Sequence, residues 1–290
     1  MKRLGIFLFL IVVLAACGGA NGQDGGEEDQ EKNKEQTTQE ADEKKDSAKE
    51  EKDENNKVEK EEKSEKSEEA AAEASADEPK EAQYQITGNW SFEPINDAEP
   101  KVALLTIDDA PDKHGLEMAK TLKAADAPAI FFVNGHFIDS EEGKEELRKI
   151  HELGFPIGNH TMTHASLPDL SQEEQKEEIV GLNDKIEEIT GERPKFFRAP
   201  FGQNTDYSQQ LAAEEKMLLM NWTYGYDWNE EYMDADNLAD IMVNTELLGN
   251  GANLLMHDRE WTKEALDDIV TGLRSKGYDL LDPALIKTPK

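Results

Sequence analysis

From Tyr84 to Lys290, short apolar runs alternate with longer amphipathic ones, a rhythm that few folds accommodate. The runs are VALLTI (102–107), AIFFV (129–133), FPIG (155–158), KFFR (195–198), MLLMNW (217–222), NLLMH (253–257) and YDLL (278–281). Their length and apolar character predict strands. Helical patterns lie between most of them, over 115–125, 141–153, 172–190, 206–215, 236–247 and 261–276. The third is the best marked: Ser171 and Glu174 have the spacing of a capping box, and Gly191 stands where a C-terminal cap belongs. Strand–helix alternation predicts an α/β domain with a mainly parallel sheet, either open or closed into a barrel. No internal repeat is visible, and residues 84–100 suit either an edge element or a lead-in.

Upstream the composition changes. MKRLGIFLFLIVVLAAC carries Lys2 and Arg3, an apolar run and small residues before Cys17, the pattern of an export signal too short for a transmembrane span. LAAC resembles a lipobox, which implies cleavage before Cys17, a lipid on its sulfur and a membrane anchor at the first mature residue. Cys17 is the sole cysteine, so no disulfide framework exists. Residues 18–83 hold 24 acidic and 11 basic residues and almost nothing apolar. Such a stretch buries too little surface to offset its ordering entropy and is expected to be a disordered tether. The expected organisation is a signal peptide over 1–16, lipidated Cys17 and tether over 17–83, and one folded domain over 84–290.

The 207 residues of that domain suffice for a substantial core, and they hold 40 acidic against 19 basic side chains. A net charge of −21 repels phosphate and argues against nucleic acid as a partner.

The polar residues fall in a pattern. Asp108 and Asp109 follow VALLTI, the pair His160 and His164 follows FPIG, and Arg198 closes KFFR. Asp227 and Trp228 come shortly after MLLMNW, and His257 ends NLLMH. Five groups thus stand at the C-terminal ends of five strands, the rim on which α/β barrels assemble active sites.

In NHTMTHASL (159–167) the two histidines are four apart. One turn of helix between them would project both imidazoles from one side, able to grip a divalent metal, and a third ligand is then wanted. TIDDAPD (106–112) is its expected source. Two adjacent carboxylates crowd negative charge that a cation or arginine must compensate. Both can serve one site only if the strand bends there, which Ala110-Pro111 makes plausible. One aspartate and two histidines would leave open positions on the metal, as hydrolysis of a carbonyl compound requires. A base, an oxyanion stabiliser and an acid would complete the chemistry.

In order and approximate spacing, TIDDAP, HTMTH, RAPFG, DW and LLMH resemble the five motifs of polysaccharide deacetylases, the NodB-homology family also called carbohydrate esterase family 4. The likeness spans roughly 101–281. It implies a distorted (β/α) barrel that hydrolyses N-acetyl groups of a glycan with zinc, cobalt or a similar ion. Carried over by position, Asp108 is the base and Asp109, His160 and His164 hold the metal. Arg198 orients Asp108, and the Phe201 N–H helps stabilise the oxyanion. His257, tuned by Asp227, protonates the leaving amine, while Trp228 and Leu255 line the acetyl pocket. Export and anchoring place the domain in the cell-wall space on the outer face of the membrane. The expected substrate is therefore N-acetylglucosamine, or less directly N-acetylmuramic acid, of peptidoglycan, with chitin fragments or another N-acetylglucosamine polymer as alternatives and an acetylated xylan a more distant one.

Two departures stand out. The family's first motif usually reads TFDDGP, so Ala110 adds a methyl near the expected substrate path and adopts positive φ less readily than glycine. Tyr224 replaces an aspartate three positions before DW, which implies a loop of its own conformation. They support a rival reading, a non-catalytic wall-associated glycan-binding protein that keeps the fold. A metal-capturing acidic lipoprotein would explain the charge but not Arg198 or Trp228.

Overall fold

The computed structural model describes residues 80–290; the expected signal segment, Cys17 and the charged stretch through Pro79 lie outside the described residues. The strands are β1 (Tyr84–Ile86), β2 (Phe92–Pro94), β3 (Val102–Ala110), β4 (Ala129–Val133), β5 (Ile157–Asn159), β6 (Phe196–Phe197), β7 (Leu218–Leu219), β8 (Ala252–His257) and β9 (Asp279–Leu280). The helices are α1 (Gly115–Ala124), α2 (Glu141–Glu152), α3 (Gln172–Lys176), α4 (Leu182–Thr190), α5 (Asp206–Glu214), α6 (Ala235–Asn244) and α7 (Glu260–Ser275). A π-helical segment, Glu177–Gly181, joins α3 to α4, so the helix expected over 172–190 is continuous but locally widened. Its capping box is present, and Gly191 ends it in the left-handed conformation at φ 79°.

The main sheet is parallel in the order β7-β6-β5-β4-β3-β8, with β9 paired to the first residues of β3. Past β7 the chain curls round to β8: Thr223 donates to the Asn253 carbonyl at 2.9 Å, and the Leu255 N–H donates to Tyr224 at 2.9 Å. The sheet thus curls into the expected distorted barrel, with one irregular seam. KFFR and MLLMNW shrink to two-residue strands, and beyond β7 the Asn221 carbonyl accepts from the side chains of Arg198 and Asn253, each at 2.9 Å.

Alternation along β3 separates two environments. Ala103, Leu105 and Ile107 face outward, packing with Met118 and Leu122 of α1 and Leu266 and Ile269 of α7. Leu104 faces inward with Ile130, Phe132, Phe196 and Met220. Above that apolar floor the inward positions become polar: Thr106, then Asp108. The open question over 84–100 resolves as an antiparallel hairpin, β1–β2, whose Tyr84 and Phe92 join the floor cluster. One end of the barrel is thus closed by apolar side chains, and the C-terminal ends of the strands carry the polar groups.

Candidate metal centre and active site

Asp108 points into the barrel, 2 % exposed. Regular pleating would send Asp109 outward, but its φ of 60° and a register shift between Ile107 and Ala110 turn it back toward the same space. A left-handed non-glycine residue costs about 1–2 kcal/mol, so the surrounding packing must hold it there. The bend begins at Asp109 and runs into the expected Ala110-Pro111, whose peptide bond is cis. Ala110 has no positive φ and is fully buried, its methyl 3.5 Å from where a Cβ on Gly115 would stand. The departure at Ala110 is absorbed beneath the start of α1, not at the mouth of the site.

His160 and His164 converge without a helix. Thr161 and His164 take left-handed φ values of 71° and 60°, and these two turns, not one helical turn, bring the rings together. His160 donates Nδ1–H to the Arg198 carbonyl at 2.7 Å, which leaves Nε2 toward the carboxylates. That atom lies 3.5 Å from Asp108 Oδ2 and 3.9 Å from Asp109 Oδ1, and His164 Nε2 lies 3.5 Å from Asp109 Oδ1. One ligand atom each of Asp109, His160 and His164 lies within 4.8 Å of the other two. Donors about 2.1 Å from a tetrahedral ion are about 3.4 Å apart, so the set fits one small divalent ion after slight contraction. The carbonyl behind His160 is the usual outer support of such a ligand. Burial, then His160, holds the His164 pKa below the usual imidazole value, favouring the neutral form that binds metal. Burial pushes the Asp109 carboxyl up, but His160, His257, His164 and Arg259 outweigh it and keep it low.

The π-helical segment secures this turn. Its Glu178 and Ile179 carbonyls accept the Met162 N–H at 3.0 Å and Asn159 Nδ2 at 2.7 Å. The Glu178 carboxylate takes the Thr163 N–H at 2.8 Å and hydroxyl at 2.6 Å. Widened helical turns release carbonyls of this kind and recur at functional sites.

Arg198 is fully buried between Phe132 and Trp222, its guanidinium 4.3 Å and 5.9 Å from their ring centres. It donates to Asp108 Oδ1 at 2.6 Å and to the Thr106 hydroxyl at 2.8 Å. A buried cation is tolerated only when paired and hydrogen-bonded, and Asp108 supplies the charge. The expected pairing of Arg198 with Asp108 is therefore present.

Across the mouth, His257 Nδ1 donates to Asp227 Oδ1 at 2.7 Å, and Asp227 Oδ2 accepts the His257 N–H at 2.5 Å and the Thr262 hydroxyl at 2.9 Å. Burial opposes charge on His257, but Asp227, then Asp108 and Asp109, outweigh it and raise its pKa. Trp228 stands edge-on to His257 at 5.5 Å and Phe201 edge-on to His164 at 4.9 Å, both rings largely exposed. A Cβ on Gly225 would lie 2.7 Å from the Trp228 ring, so a glycine is required for that loop to pass beneath it. Phe201 is left-handed at φ 59°, and Leu255 is buried in β8. Tyr224, at the second departure, is buried with its hydroxyl on the Met242 carbonyl at 2.7 Å, tying the seam to α6.

Sequence reasoning missed two residues directly after His257. Asp258 is buried and accepts N–H groups of Asp112, His114 and Gly115 at 2.7–2.8 Å and of Lys113 at 3.2 Å, capping α1 from another strand. Arg259 donates to Asp109 Oδ2 at 2.9 Å. A charged pair at a strand end is their only sequence signal. Of the other three histidines, His114 precedes α1 with its N–H on Asp258, His136 is exposed against Phe137, and His151 lies 3.5 Å from Glu192.

A polysaccharide deacetylase family model matches residues 95–219. A peptidoglycan-N-acetylglucosamine deacetylase of Bacillus cereus is 31% identical over 194 residues, covering 64% of this chain and 70% of that one. The solved peptidoglycan deacetylase PdaC of Bacillus subtilis has a TM-score of 0.57 at 30% identity, over 64% of this chain and 91% of that chain. A CE4 family pseudoenzyme from Bacillus anthracis has a TM-score of 0.58 at 28% identity, over 65% of this chain and 68% of that chain. With its curled parallel barrel and this constellation at the strand ends, the chain belongs to the polysaccharide deacetylase family.

Proposed function

We propose that the protein is a metal-dependent N-deacetylase that releases acetate from N-acetylglucosamine of peptidoglycan. The observation that carries this reading is the closeness of Asp109, His160 and His164, with Asp108 and His257 facing the same space. Asp109, His160 and His164 would hold the ion, with zinc preferred and cobalt an alternative for two imidazoles and one carboxylate. Such an ion supplies Lewis acidity, making water nucleophilic near neutral pH and polarising an amide carbonyl.

The chain's own groups do the rest. Asp108, held in place by Arg198, takes a proton from the attacking water as its oxygen adds to the acetamide carbon. The Phe201 N–H donates to the oxyanion that forms. His257 is kept protonated by Asp227 and gives the Nε2 proton to the amine nitrogen as the C–N bond breaks. Acetate and a free amino sugar leave. Trp228 and Leu255 wall the acetyl methyl.

The substrate rests on relatives whose names specify peptidoglycan. A lipid on Cys17 and a 17–83 tether would hold the domain in the wall space; Cys17 lies outside the described residues. Among the described residues no helix is long and apolar enough to cross a membrane.

The likeness to a pseudoenzyme favours one rival, a wall-associated glycan-binding protein without turnover. Chelation followed by zinc or cobalt restoration, with acetate release measured on peptidoglycan and chitooligosaccharides, separates the two. Metal-restored release, with glucosamine appearing in the digested peptidoglycan, supports the deacetylase. Glycan binding with no release on either substrate supports the rival.

A further inference from the structure

Both aspartates of the site have a cationic partner before any metal ion is counted. Arg198 holds Asp108 Oδ1 at 2.6 Å, and Arg259 holds Asp109 Oδ2 at 2.9 Å. The Asp109 carboxylate is thereby divided: Oδ1 faces the two histidine Nε2 atoms, and Oδ2 faces the arginine. Arg259 is itself fixed, its Nη1 donating to the Asp258 carbonyl at 2.9 Å and lying 3.8 Å from Asp112 Oδ2. Asp258 in turn grips the backbone of 112–115.

We infer that Arg259 is a positioning residue that limits Asp109 to one-oxygen ligation and, through its charge, trades metal affinity for Lewis acidity. This rests on the reading of Asp109, His160 and His164 as the metal ligands. Two neutral imidazoles and a carboxylate already matched by an arginine quench little of a divalent ion's charge. The ion is bound less tightly and withdraws more electron density from what it touches. The left-handed backbone and the strand bulge hold the main chain at Asp109 without Arg259, so removing the arginine takes away its charge and its hold on Oδ2 but leaves the strand end in place. Taking the dielectric of water because the side chain is one-third exposed, and a separation of about 6 Å, losing this unit charge tightens divalent-ion binding roughly tenfold.

The test is the affinity for Co2+ and Zn2+, by competition with a chromophoric chelator, of wild type, Arg259→Gln and Arg259→Lys. The inference expects roughly tenfold tighter binding by Arg259→Gln, wild-type affinity in Arg259→Lys, and a lower kcat for metal-saturated Arg259→Gln on chitooligosaccharides. Equal or weaker binding by Arg259→Gln, with its melting temperature unchanged, would overturn it. So would tighter binding in Arg259→Lys, since the charge is retained there. A wild-type protein that binds neither ion would instead remove the metal centre on which the inference rests.

Discussion

At the scale of single residues, the proposed mechanism makes the pH response of the site turn on His257. A general acid works while protonated, so activity is lost as pH rises through its pKa. Asp227 raises that pKa against the opposing effect of burial. Asp227→Asn should therefore move the basic limb of the kcat–pH profile to lower pH, and an unmoved limb would detach Asp227 from the acid. His257→Ala should lower kcat by about 10²–10⁴-fold with the metal content unchanged. Ala110→Gly, which restores the family's usual residue, should leave kcat/KM near wild type and cost up to about 1 kcal/mol in denaturant unfolding, because the methyl is buried and φ is negative. The gathering of Asp108, Asp109, His160, His164, Arg198 and His257 on one rim was legible in the sequence because each follows a strand-like apolar run, whereas the separate roles proposed for them came only from the family resemblance. The left-handed turns at Asp109, Thr161 and His164 were not legible, since they persist only where tertiary packing outweighs their local cost.

At the scale of elements, the site is held by contacts between segments distant in sequence. Asp258 caps α1 from about 145 residues away, and no local pattern announces such a partner. Its removal would leave the buried Gly115 N–H unpaired, at about 1–3 kcal/mol, and three part-buried N–H groups without their partner. Asp258→Ala should thus be far less stable by denaturant titration than the surface variant Glu141→Ala. Glu178 secures the histidine turn, and Glu178→Ala should weaken zinc binding through displacement of His164. Unchanged affinity would reduce the π-helical segment to packing. The sequence patterns located the strands and helices to within a few residues, since apolar periodicity and caps are local. They overstated β6 and β7, beyond which the Asn221 carbonyl accepts from the side chains of Arg198 and Asn253.

At the scale of the whole molecule, the barrel is sealed at one end by the β1–β2 hairpin and open at the other to the polar rim. Phe92, buried in the floor, should cost about 3–5 kcal/mol when replaced by alanine, measured by urea unfolding. That seal was not legible because short, low-periodicity strands give little pattern, whereas the alternating architecture was. At the rim, the proposed mechanism has Asp108 act on water beside an ion held by three other residues. The most direct test is to load Asp108→Asn with zinc, measure its metal content, and follow acetate release from peptidoglycan in the same sample. Wild-type metal content with release reduced by at least about 10²-fold is the expected result. Full release by the zinc-loaded variant would contradict that mechanism.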